Sequence, residues 1–360
     1  RAGVAVVAAA ALSLAMLSQM AVAAEEQFFP LIDYRVGPYG SNGQAFYGGF
    51  IDYLNLINTR DGGVNGVKLS WSEGETEYEV EKGVEVYQRL KSNPGIAAWN
   101  PLSVGIAYAT LERSTADKLP LITINHGRTD STDGSVFPYA FPLLLNYYGQ
   151  ASVGINYIAQ REGGLNKLKG KKIVTVYHDS AYGRETQAAM QLLAQKYGFD
   201  NIQIPVADPG NEQSTQWRQV RQINPDWVFL RTWGVSTPVG IKTAVRFGIP
   251  VDRLIGDVWA GSEADVIPAG TAAKGYQALA PFPGGDSFEI HKKLKQFILD
   301  PGKSNLKDPS YFGKVYYNIG LINAAIAVEA LRTGQAKFGN RALNGEETRW
   351  AFEHLDIDAA

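Results

Sequence analysis

Three tryptophans, Trp99, Trp233 and Trp259, stand where short apolar runs give way to polar turns. At similar positions lie Asn42, Asn100, Ser103, the run Asn125-His126-Gly127-Arg128, and Tyr182. Aromatic faces with a few aimed polar groups line small-molecule clefts, so the chemistry these residues suit is recognition. The planar fork of Arg128 suits a carboxylate. Ser103 precedes a helix whose free N–H groups would attract an anion. Each residue also has a plainer reading. The tryptophans suit a lobe core, Ser103 a helix N-cap, and His126 a bond to a backbone group. Arg128 suits an ion pair with Asp130 or Asp133. The residues alone leave both readings open.

Bond-making chemistry has less to work with. His178-Asp179-Ser180 contains the residue types of a hydrolytic triad, but consecutive residues leaving a strand point in different directions. The chain carries no nucleophile-elbow, phosphate-loop or zinc-protease motif, and Gly37-x-x-Gly40-x-x-Gly43 lacks the dinucleotide spacing. His126, His178, His291 and His354 are scattered without ligand spacing, so neither a metal nor another cofactor is expected. With no cysteine there is no disulfide and no thiolate nucleophile. Glu263 and Asp265 read as solvated loop surface. A net charge of −2 without a basic patch argues against a nucleic-acid partner. The expectation is therefore a binding protein and not an enzyme.

The elements that must position these residues alternate. Ile173–Tyr177 is a short apolar run of the kind buried on both faces of a parallel sheet. It opens through His178-Asp179-Ser180 onto a helix pattern at Met190, Leu193, Ala194 and Tyr197. Ligands of open α/β sheets bind at such carboxyl ends. Before it, strands are expected at Phe28–Tyr34, Lys68–Trp71, Ile96–Trp99 and Leu121–Ile124, with helices between them. Beyond the aromatic, proline-rich Phe137–Tyr148 the rhythm resumes, with strands at Ile202–Val206, Asp226–Arg231 and Leu254–Gly256. Tyr276–Ala280 is a further candidate strand. Helices follow over Phe288–Leu299, Lys314–Arg332 and Glu346–His354. The fold class is α/β, two doubly wound Rossmann-like lobes in tandem. Lobe 1 is assigned residues 24–143 plus 284–334, and lobe 2 residues 144–283 plus 335–360.

Arg1 and the uncharged alanine-rich run ending Ala21-Val22-Ala23 read as a secretory leader over residues 1–23, cleaved after Ala23. The protein is then exported.

A leader, two tandem α/β lobes, and a tyrosine in His178-Asp179-x-x-Tyr182-Gly183 after the fifth strand resemble the periplasmic solute-binding proteins of ABC importers. The likeness is to the leucine/isoleucine/valine-binding, type I subgroup. It runs from Gly37-Pro38 through Asp61–Gly66, His178–Gly183 and Gly256–Ala264 to the helix at Tyr317–Arg332. The resemblance implies a hinge between the lobes, a small organic solute in the cleft, and ABC permease subunits in the inner membrane as partners. A periplasmic monomer is expected. First-lobe ligand loops fall on Leu102-Ser103 and Asn125–Gly127, and second-lobe lid positions on Tyr182 and Trp233. Amino-acid binders of the subgroup carry a glutamate for the ammonium where this chain has Val258-Trp259. The expected solute is a small organic carboxylate, an aromatic or hydrophobic acid or else a branched-chain or aromatic amino acid, and that departure favours the aromatic or other hydrophobic carboxylate over a branched-chain amino acid. An extracytoplasmic sensor of the same fold is the alternative. Members also continue beyond the point matching Ala360, so the sequence reads as a fragment.

Overall fold

The computed structural model describes residues 26–357. The leader expected over 1–23 lies outside the described residues. Strand β1 (Glu26–Asp33) pairs in parallel with β2 (Lys68–Glu75). β3 (Leu121–Ile124) pairs in parallel with β4 (Ala140–Leu143). Segment 96–99, expected as a full strand, joins these pairs through single parallel bridges, Phe28 to Ile96 and Trp99 to Leu121. The first lobe's sheet thus runs β2, β1, 96–99, β3, β4. β4 comes from the stretch read as an interruption. Pro142 is tolerated there because the strand is an edge.

The second sheet is fully parallel, in the order β6 (Asp200–Val206), β5 (Lys172–His178), β7 (Trp227–Arg231), β8 (Leu254–Gly256) and β9 (Gln277–Ala278). Its two faces carry separate apolar cores, one around Phe229 and Met190, the other around Trp217 and Ile241. The apolar run at β5 is buried on both sides, as its composition requires. Both sheets are parallel, so turns and helix starts gather at the strands' carboxyl ends.

In the first lobe α1 (Gly40–Leu56) crosses the long C-terminal α2 (Val315–Phe338). The crossing is backbone against backbone. A Cβ at Gly49 would stand 2.1 Å from the Tyr317 carbonyl oxygen, and one at Gly320 2.0 Å from that of Phe46. Residues 335–360 were assigned to lobe 2, but the contacts described for 335–357 run to lobe 1. The Gln27 side chain on β1 donates to Leu343 O at 3.1 Å and accepts from Leu343 N at 2.8 Å. Helix α3 (Gly345–Glu353) packs on α2 and puts Ala351 and Phe352 into the first lobe's core. The assignment failed because the 3.6-residue pattern of a terminal helix shows that it has an apolar face and not which lobe covers it. No helix among the described residues is long and apolar enough to cross a membrane.

Candidate functional site

The lobes meet along the carboxyl ends of both sheets. Tyr39, in the turn after β1, stacks its ring on Trp233 of the second lobe, with centroids 4.4 Å apart and planes 3° apart. Its hydroxyl reaches His178 Nε2 at 2.9 Å and Asp208 Oδ1 at 2.5 Å. Asn42 Nδ2 donates to Asp265 Oδ1 at 3.3 Å, and Thr129 N to Glu185 Oε1 at 2.6 Å.

Beneath these contacts lies a narrow cavity of about 20 Å³ walled by Tyr78, Leu102, Val104, His126, Tyr147, Tyr182, Trp233, Trp259 and Tyr316. The turns that leave the strands supply most of this wall. Its first-lobe turns hold backbone conformations that side chains other than glycine rarely adopt, with φ of 70° at Tyr78, 41° at Leu102 and 56° at Asn125. Leu102 is fixed there by its N–H donating to Asn100 Oδ1 at 2.8 Å and by its carbonyl accepting from Tyr34 Oη at 3.2 Å. Such over-determined turns concentrate at binding sites.

In the second lobe a buried ion pair holds the aromatic walls in place. Arg231 Nη1 and Asp257 Oδ2 are 2.8 Å apart and neither side chain is exposed. The guanidinium lies 4.1 Å from the Tyr147 ring centre and 4.5 Å from that of Tyr182. Asp257 Oδ2 also accepts from Tyr182 Oη at 2.7 Å, and its Oδ1 accepts from the Trp259 N–H at 3.0 Å. Burial pushes the Asp257 carboxyl up to about 6 against the pull of Arg231. One carboxylate thus orients Tyr182 and the Trp259 turn together.

Four of the polar atoms in the cavity wall are left without partners. His126 Nε2, Tyr147 Oη, Trp259 Nε1 and Tyr316 Oη are buried with no hydrogen-bond partner within 3.5 Å, although the Trp259 side chain is near enough to pull on the Tyr147 hydroxyl. Other buried polar atoms also lack partners, and what distinguishes these four is that they belong to the wall of one space. Burial holds the tyrosine hydroxyls of Tyr147 and Tyr316 well above their usual pKa, so they remain protonated. Burial also lowers His126 to about 4, so its ring is neutral at pH 7. None of the wall residues then carries a charge. The chemistry of the wall suits a small, largely planar or apolar molecule whose own polar atoms satisfy these groups.

Of the residues singled out in the sequence, His126, Tyr182, Trp233 and Trp259 line this cavity. Ser103 borders a larger outer space of about 450 Å³ that continues past Tyr39, Tyr78 and Tyr182 and is edged by Glu77, Glu79, Glu81 and Asp208. Its hydroxyl accepts from Ile106 N at 3.3 Å as a helix N-cap. Asn42 sits at the lobe contact, and Asn125 lies behind Trp259, accepting from Leu145 N at 3.1 Å. Trp99 belongs to the first-lobe core, donating to Ser114 Oγ at 3.0 Å and packing on Tyr87. Asn100 lines a separate space inside that lobe. Arg128 points away from the cavity, with Nε 2.9 Å from Asp130 Oδ1 and Nη1 3.1 Å from Glu112 Oε1. Asp265 is fully buried, and Glu263 accepts from Val315 N at 3.0 Å, so neither is the solvated loop acid expected. The sequence reading passed over Tyr78, Val104, Tyr147 and Tyr316. Tyr147 carried a signal, since Asn146 before it is an N-cap residue at a helix start.

Residues 26–347 match the family model of the periplasmic binding proteins. A solved structure described as an ABC transporter permease from the Pseudomonas fluorescens group is 65% identical, with a TM-score of 0.85, over 93% of this chain and 81% of that one. A branched-chain amino acid ABC transporter protein from Thermus thermophilus with bound valine is 20% identical, with a TM-score of 0.77, over 91% and 81% of the two chains. A solute-binding protein from R. palustris in complex with benzoate is 18% identical, with a TM-score of 0.72, over 91% and 85%. No protein with a curated functional description matches the chain. The matched residues span both lobes and every wall of the cavity, and the chain belongs to the periplasmic binding protein family, with the type I fold of the substrate-binding proteins of ABC transporters.

Proposed function

We propose that the protein is the periplasmic receptor of an ABC importer, closing its lobes on a small aromatic or other hydrophobic carboxylate and presenting it to membrane permease subunits. The observation that carries this reading is the set of unpartnered polar atoms in an aromatic cavity without a charged wall residue. The Trp259 N–H and the hydroxyls of Tyr147 and Tyr316 can donate to carboxylate oxygens, and hydrogen bonds to an ionised acceptor are the stronger kind. An α-amino acid would also need an acceptor for its ammonium. The nearest buried acids are occupied, Asp257 by Arg231 and Tyr182, and Asp265 by Ser262 and Asn42. Relatives of the same fold described with benzoate and 4-hydroxybenzoate support the class, and the relative described with valine is the competing precedent.

Lobe closure exchanges cleft hydration for contacts with both lobes, and a permease can then distinguish closed from open receptor. The acids at the outer space disfavour an approaching anion at long range, an effect screened within about 8 Å at physiological salt. Binding must therefore rest on the short-range bonds inside. A thermal-shift screen of benzoates, aliphatic acids and branched-chain amino acids tests the reading, since a ligand of the native state alone raises the melting temperature. Stabilisation by aromatic acids is expected. Stabilisation by leucine or valine alone would overturn the class.

A further inference from the structure

We propose that His126 determines specificity within this cavity by accepting a hydrogen bond from a hydroxyl group on the solute, so that the preferred ligands are hydroxylated aromatic carboxylates. The inference rests on the carboxylate reading above and adds a second polar demand to it.

The imidazole is 5% exposed and lines the cavity. It is aimed by a turn in which Asn125 and Gly127 have φ of 56° and 92°. Its Nδ1 lies 3.0 Å from the Ile124 carbonyl oxygen. A carbonyl oxygen can only accept, so Nδ1 carries the ring's proton and Nε2 presents a lone pair. That Nε2 is buried and has no partner. Desolvation by burial favours the same neutral form of the ring.

The remaining unpartnered groups make different demands. Trp259 Nε1–H is a donor only, and the hydroxyls of Tyr147 and Tyr316 can serve the same carboxylate. A carboxylate cannot satisfy His126, because two lone pairs would face each other. Neither tyrosine hydroxyl bonds to the imidazole, and both stand without a partner of their own. The missing proton must then come from the solute. An aromatic acid that also carries a ring hydroxyl meets both demands at once. An unsubstituted acid leaves Nε2 stranded, which costs more than merely lacking a favourable bond.

The test is calorimetric affinity of the purified protein for benzoate, 3- and 4-hydroxybenzoate, 4-fluorobenzoate and 4-methoxybenzoate, repeated on His126→Leu and His126→Phe. One hydroxybenzoate is expected to bind about ten-fold tighter than benzoate. The fluoro and methoxy acids, of similar shape but with no proton to donate, gain nothing. In both His126 variants the ratio of hydroxybenzoate affinity to benzoate affinity falls to that of the fluoro acid, whatever the change in benzoate affinity itself. Equal binding of the hydroxy and fluoro acids by the unaltered protein overturns the proposal, and so does a preference that survives in either variant. If the variants do not fold, the ligand series on the unaltered protein decides alone. If benzoate binds and only the hydroxyl preference is missing, the carboxylate reading stands and the role of His126 falls. If none of the acids binds, both fall.

Discussion

Replacing Trp259 by phenylalanine separates the aromatic wall from its hydrogen-bond donor. Trp259 is 5% exposed, and its Nε1 is buried without a partner. In the ligand-free protein the substitution has two opposed effects. It removes a stranded donor, a relief of about 1–3 kcal/mol. It also forfeits roughly 50 Å² of buried ring, about 1.3 kcal/mol at the usual area coefficient. The two nearly cancel, so the melting temperature should move by only a few degrees. In the complex only the loss remains. A hydrogen bond to an ionised acceptor contributes about 1.5–3 kcal/mol, which is about a 10- to 150-fold rise in Kd for benzoate. Isothermal titration of both proteins, with a thermal melt of each, measures the two effects separately. An unchanged Kd would refute the reasoning, because the most clearly donor-only group of the cavity would then have no part in binding. A large drop in melting temperature with a proportionate loss of affinity would refute it differently, by making Trp259 a packing residue.

Arg128→Ala should leave the affinity for aromatic acids within about two-fold and cost at most about 1 kcal/mol of stability, since its partners Asp130 and Glu112 form a surface cluster. Titration calorimetry checks it, and a ten-fold loss would return Arg128 to the site. Arg231→Met leaves Asp257 buried and unpaired, so urea unfolding should show a loss of about 3–5 kcal/mol, partly recovered by Arg231→Met with Asp257→Asn. A loss below about 1 kcal/mol would show that the pair does not brace the cavity wall. The pH dependence has a defined sign. His126 is held below its ordinary value, at about 4, so its contribution to stability is present above about pH 6.5 and is lost as pH falls toward 4. Asp265, raised by burial to about 7, acts oppositely: its contribution is present below about pH 4 and lost as pH rises through 7. Subtracting the stability profile of His126→Leu from that of the unaltered protein isolates the first trend, and a flat difference between pH 6.5 and 4 would contradict the buried neutral ring.

The fold was legible where burial on both sides of a strand leaves an apolar run with turns at its ends. Leu121–Ile124 and Leu254–Gly256 have the boundaries expected of them. Ala140–Leu143 was not legible, because an edge strand admits proline and needs no alternation. The site divides in the same way. A position just past a strand's carboxyl end was enough to find His126, Tyr182, Trp233 and Trp259. The same rule misplaced Trp99, which is the last residue of its segment and turns inward onto Tyr87 and Ser114. One residue of register decides which face a side chain takes, and single bridges leave no pattern from which to read it. Tyr78, Tyr147 and Tyr316 enter the cavity from a loop and two helix starts, where no period of 2 or 3.6 marks a residue for the cleft. Arg128 was attractive for its chemistry alone, and two nearby carboxylates decide its direction instead.

The central claim is that the unpartnered atoms between the lobes belong to a solute, and a crystal structure of the protein grown with an aromatic carboxylate tests it most directly. The account requires the ring between Trp233 and Tyr182, with a carboxylate oxygen at hydrogen-bond distance from Trp259 Nε1 and a Tyr147 or Tyr316 hydroxyl. A cavity holding only water, or an acid bound elsewhere while those four atoms stay unpaired, would contradict it.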